Sequence, residues 1–132
     1  MMSARLRRKG KGLRIRRVEM GVFDNSVDIV VGDRDRTNGF LDAKYPDAPT
    51  LSEGTRGACV VRHGYTPTIW LPRPPVSARE MGTACHEATH AALHIVAWAG
   101  VKTDEEDDET LCHTIAWIVV NIIECGKQRP ER

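Results

Sequence analysis

No apolar run in this 132-residue chain approaches the ~20 residues that a bilayer-spanning helix needs, so no transmembrane segment is expected. A secretory leader is not expected either. MMSARLRRKGKGLRIRR opens with charge, but neither an apolar stretch nor a small-residue cleavage site follows it, and secretion is not expected. The four cysteines, Cys59, Cys85, Cys112 and Cys125, include no CxxC pair, and the chain is long enough to build a core without covalent staples. Reduced thiols and a cytoplasmic setting fit that pattern. No internal repeat is visible, which excludes solenoids and propellers.

The length supports a single domain, and 41% hydrophobic with 28% charged residues is the mix of a globular protein. A formal net charge of +1 conceals segregation: eight of the 19 Lys and Arg lie between Arg5 and Arg17, while Asp104 to Glu109 is an unbroken acidic run. Residues 1–17 read as a basic, flexible arm that stiffens toward Leu13–Arg17, and residues 18–132 as the domain.

Alternating apolar residues at Val18, Met20 and Val22, then Val27, Ile29 and Val31, flank the turn-forming Asp24, Asn25 and Ser26 and predict a hairpin. Residues 32–57 are dense in Gly, Pro, Asp and Thr without a sustained period and read as a long loop. A second strand pair is expected at Ala58–Arg62 and Thr68–Leu71. Pro67 and Pro72 lack a backbone donor and suggest that the strand containing Trp70 is an edge strand. Ser77 and Glu80 form a capping box that starts a long helix, which ends near Ala99 at Gly100. A second helix, capped by Thr103, runs to about Glu124 with a broad apolar face at Leu111, Ile115, Ile118, Val119, Ile122 and Ile123. The fold class is α+β: a small antiparallel sheet with an edge strand, packed on two long helices.

CHEATHAALH, residues 85–94, lies in the middle of the first long helix. At about 3.6 residues per turn, His86 and His90 point the same way and can direct imidazole nitrogens at one ion. Glu87 can reach a water on that ion without ligating it and act as general base, since zinc lowers the pKa of its bound water to about 7. The apolar neighbours Ala84, Ala88, Ala91, Ala92 and Leu93 suit a buried helix, where an uncoordinated imidazole is costly. The third ligand is open. Glu109, in the first turn of the second helix, is the leading choice, with Asp108, Glu106 and Asp107 as alternatives in the same run. His94 lies two turns from His86 and is poorly aimed for a tetrahedron. Cys85 and Cys112 each adjoin a histidine, but adjacent helical residues diverge by about 100°, which disfavours a structural Cys2His2 zinc.

His86, Glu87 and His90 form the HExxH signature of zincin metallopeptidases, and a glutamate 19 residues beyond His90 is similar to the gluzincin arrangement. The order of hairpin, edge strand, motif helix and acid-opened helix resembles the compact HExxH proteins of phages and prophages, and distantly the ImmA/IrrE-type peptidases. No HExxHxxGxxH is present, so the metzincin branch is excluded. The resemblance implies a minimal zincin-like domain and a Zn2+-dependent endopeptidase acting on a protein or peptide. Where thermolysin-like enzymes carry an orienting aspartate, this chain has His113, which would hold a ligand or steady an oxyanion; Tyr65 is a second oxyanion donor to consider. Ile69, Trp70 and Leu71 would hold an extended substrate by main-chain pairing.

Fold resemblance does not decide function. The alternative is a catalytically silent binding module of the same fold, working through protein contacts or through nucleic acid held by the basic arm. No membrane partner is expected, and oligomeric state is not encoded in any pattern above.

Overall fold

A computed structural model of the chain describes residues 2–103 and 108–132, so Glu106 and Asp107, two of the alternative ligands, lie outside the described residues. In chain order the elements are α1 (Ala4–Lys9), β1 (Arg14–Met20), a 3-10 turn (Gly21–Phe23), β2 (Asn25–Val31), α2 (Arg34–Lys44), β3 (Ala58–Val60), β4 (Thr68–Leu71), α3 (Ala78–Trp98) and α4 (Glu109–Gly126). The class is α+β, with a four-stranded sheet of order β1-β2-β4-β3.

The expected hairpin forms, with β1 and β2 antiparallel from Arg14↔Val31 to Met20↔Asn25. Asp24 sits in the left-handed region at φ 49° to close it, a conformation that a short polar side chain tolerates. The sheet is mixed rather than antiparallel: β2 and β4 run parallel from Asp28↔Thr68 to Val31↔Leu71, while β3 and β4 are antiparallel. A parallel neighbour requires a long crossover, and α2 lies within it.

That helix replaces the first part of the expected 32–57 loop. Its sequence, RDRTNGFLDAK, contains Thr, Asn and Gly and has little intrinsic helicity. Two things hold it: the Asp33 side chain accepts from the Arg36 amide at 2.9 Å, and Thr37, Phe40 and Leu41, spaced i, i+3, i+4, are wholly buried.

The sheet has helices on both faces. On one, Val27, Ile29, Val31, Ile69 and Leu71 pack against α3 and α4. The α3 residues facing them are chiefly Ala84, Ala88, Ala91 and Ala92, small enough to let the helix backbone approach the strands. On the other face, Val30 and Trp70 meet Leu6, Leu13, Phe40, Leu41 and Tyr45. Charge is buried on this second face. Asp28 is inaccessible and lies 2.7 Å from both the Arg17 guanidinium and the Lys44 ammonium, and Lys44 also donates to Thr68.

The segment expected to be a flexible arm is docked. Leu6 and Leu13 are in the second core, Arg14–Arg17 belongs to β1, and the expected boundary at Val18 therefore falls inside a strand. The tail secures it: the Gly12 amide donates to the Glu131 carbonyl and the Glu131 amide to the Leu13 carbonyl, both at 2.7 Å.

The strand containing Trp70 is interior. β4 is bonded to β2 on one side and β3 on the other, so the outer strand on this side is β3. Pro67 and Pro72 flank β4 without interrupting it, and the Pro67 carbonyl accepts from the Asp28 amide. Their missing donors therefore leave no gap in the ladder.

Candidate metal centre

The capping box at the start of α3 is complete. Glu80 receives the Ser77 amide while Ser77 Oγ receives the Glu80 amide, and Ser77, Arg73 and Val76 together lower the Glu80 pKa to about 2. At the far end, the Gly100 amide donates to Ala97 and the Val101 amide to Val96, with Gly100 at φ +74°, a Schellman closure. Between these caps the helix has no interruption, and residues four apart share a face.

His86 Nε2 and His90 Nε2 stand 3.1 Å apart, with ring centroids 4.7 Å apart and planes at 80°. Two nitrogens bound at about 2.0–2.1 Å to one tetrahedral ion lie roughly 3.3 Å apart, so the pair fits a shared metal with a shift of a few tenths of an ångström. Both histidines are exposed and accessible to an ion from solvent. A donor atom from each of His86, Glu87 and His90 lies within 4.8 Å of the others, the one such His/Cys/Asp/Glu group among the described residues.

Glu87 points away from solvent. One residue on from His86 it is rotated toward the sheet, and it is 7% exposed. Burial raises its pKa above the ordinary carboxylate value, against the opposing effect of His86 and His90. β3 runs beside this part of α3: Gly57 lies against Thr83, and the Cys59 thiol, pushed up to about 12 by burial and then by Glu87, is next along the strand. All four cysteines are free. The position of Cys59 beside Glu87 was not legible in sequence, because it depends on the crossover that makes β3 the outer strand.

Glu109 and His113 are elsewhere. They are paired with each other at 3.3 Å across one turn of α4, both side chains about four-fifths exposed, and neither belongs to the group around His86. His113 instead lines a groove with Met20, Gly21, Phe23 and Trp117, at the end of the hairpin. The reason is helical phase: Thr114, Ile118, Asn121, Ile122 and Cys125 are the residues α4 buries, and Glu109 and His113 are off that stripe. Asp108, the helix N-cap, is exposed and makes no side-chain capping bond. α4 begins at Glu109, well after the Thr103 expected to cap it.

Ile69, Trp70 and Leu71 are 0%, 1% and 3% exposed. Ile69 and Trp70 are paired with β2 and β3, Leu71 is paired with β2, and the Trp70 indole donates to the Gly32 carbonyl at 3.0 Å, so they form sheet interior instead of a substrate ledge. Tyr65 packs edge-on against Tyr45 and lines a small cavity of about 110 Å³ with His63, His94 and Trp98. Burial, followed by His63, lowers the His94 pKa.

Set against known proteins, the chain matches no family model, no curated protein and no solved structure. The residues and their geometry carry the functional argument.

Proposed function

We propose that the protein is a zinc-dependent metallopeptidase of zincin type, with His86 and His90 as metal ligands and Glu87 as general base. The observation behind this reading is the convergence of the two Nε2 atoms at 3.1 Å beside a buried carboxylate. A zinc ion held there supplies Lewis-acid polarisation of a water and of a substrate carbonyl.

Glu87 accepts the proton of the attacking water and delivers it to the leaving amine, and its raised pKa makes it a stronger acceptor than a solvated carboxylate. An extended peptide is the substrate class that the surroundings favour. β3 has a free edge, lies along α3 beside Glu87, and can pair with a third strand as Ile69–Leu71 cannot.

The test is Glu87→Gln. Cleavage of an unstructured polypeptide should fall by about 10²-fold or more while zinc content of the purified protein stays the same. Undiminished cleavage, or a protein that takes up no zinc at saturating metal, sinks the reading.

One observation favours a second reading, a catalytically silent binding module. A catalytic zinc site ordinarily has three protein ligands, and Glu109 is not gathered with the histidine pair. Such a protein would keep its biological activity in the Glu87→Gln variant.

A further inference from the structure

We propose that α1 and the C-terminal tail together form a basic face that binds the phosphate backbone of double-stranded nucleic acid. α1 and its following turn carry Arg5, Arg7, Arg8, Lys9 and Lys11, all exposed, and no acidic residue occurs before Glu19. More than a hundred residues later in the chain, Arg129 and Arg132 are exposed as well. The 2.7 Å backbone bonds joining Gly12 and Leu13 to Glu131 set the two segments side by side. Arg14 and Arg16 reinforce that junction by donating to the Gln128 carbonyl, Asn121 Oδ1 and Gln128 Oε1, all neutral acceptors.

None of the seven exposed cations is ion-paired among the described residues, and Glu131 is the one acidic side chain in the tail beyond Glu124. In a chain of formal net charge +1, these seven cations are gathered on two adjoining segments. Five of the seven are arginines, whose planar forks match phosphate oxygens in pairs.

The apolar content selects the polyanion. Leu6 and Leu13 point into the core, and the exposed large hydrophobics, Tyr65, Val76, Leu93, Trp98, Trp117 and Val120, all lie outside both segments. Among the described residues the face exposes no aromatic or large apolar side chain to insert into a bilayer or serve as a stacking platform for unpaired bases, so it suits a duplex backbone read by charge and without sequence preference. α1 also lies on the sheet face opposite the helix that carries the histidine pair.

The experiment is anisotropy of a labelled mixed-sequence DNA duplex with the full chain across a salt series. About five phosphate contacts give a log–log slope near −4.5, an affinity loss of about 10²–10³-fold between about 50 and 200 mM salt. Substituting Arg5, Arg7 and Arg8 by Gln should make the slope shallower by about 3, and Arg129→Gln with Arg132→Gln by about 2. All five side chains are exposed, so the far-UV spectrum and melting temperature should not change; Arg79→Gln, away from both segments, serves as the unaffected control. A slope near zero, tail substitutions without effect, or tighter binding to phosphatidylserine vesicles than to the duplex would each overturn the proposal.

Discussion

At the residue scale, Glu109 and Asp28 separate exposed from buried charge. Glu109 is open to solvent and satisfied by His113. Glu109→Ala should leave zinc affinity where it was, whereas His90→Ala should abolish binding; isothermal titration with zinc measures both, and a large loss for Glu109→Ala would return the carboxylate to the metal. Asp28 is the opposite case. Burial pushes its pKa up most strongly, yet the hydrogen bond from Arg17 and the charge of Lys44 outweigh it and hold the pKa below the usual value. Lys44 is itself pulled below its ordinary value by burial. A depressed carboxylate pKa contributes stability above the unfolded value, and that contribution is lost as pH falls through the folded one. Asp28→Asn leaves a buried ammonium without its counter-charge and should cost about 3–5 kcal/mol in urea unfolding at neutral pH, with the gap to wild type closing in acid. An unchanged midpoint would show that the triad is not the anchor of the α2 face.

At the element scale, α3 was readable because its signals are local. Ser77, Glu80 and Gly100 act on backbone groups within a turn of themselves, so both ends were legible from the amino-acid order. α2 was not, because its formation depends on partners distant in sequence. Phe40 and Leu41 pack with Leu13 and Trp70, which lie far along the chain in or beside the sheet. Phe40→Ala should therefore cost about 3–5 kcal/mol and remove helical signal, a larger loss than propensity at one position can produce; circular dichroism with denaturant titration reads it, and a loss under ~1 kcal/mol would mean that α2 is held by its Asp33 cap alone. The edge assignment failed for a related reason. Prolines mark where a strand cannot donate, but Pro67 and Pro72 lie just outside β4, and only strand order shows that β3 is the strand left open.

At the scale of the whole molecule, one sheet divides the protein into two working layers. α3, which carries the histidine pair, packs with α4 on one face, and α1 and α2 pack on the other. Substitutions on one layer should act independently of the other: neutralising Arg5, Arg7 and Arg8 should leave zinc content untouched, as metal analysis of the same variant can verify. No helix among the described residues is long and apolar enough to cross a membrane.

By itself, the order of amino acids determined the hairpin, the two capped ends of α3 and the shared face of His86 and His90, because each depends on neighbours within a few residues and on the period of a single element. Tertiary structure decided the rest. It chose which strand is interior, turned Glu109 and His113 toward solvent, folded a nominal arm onto the core and joined it to the tail. Those outcomes come from burying one specific set of apolar side chains on each face of the sheet, a competition between distant segments that no local pattern encodes.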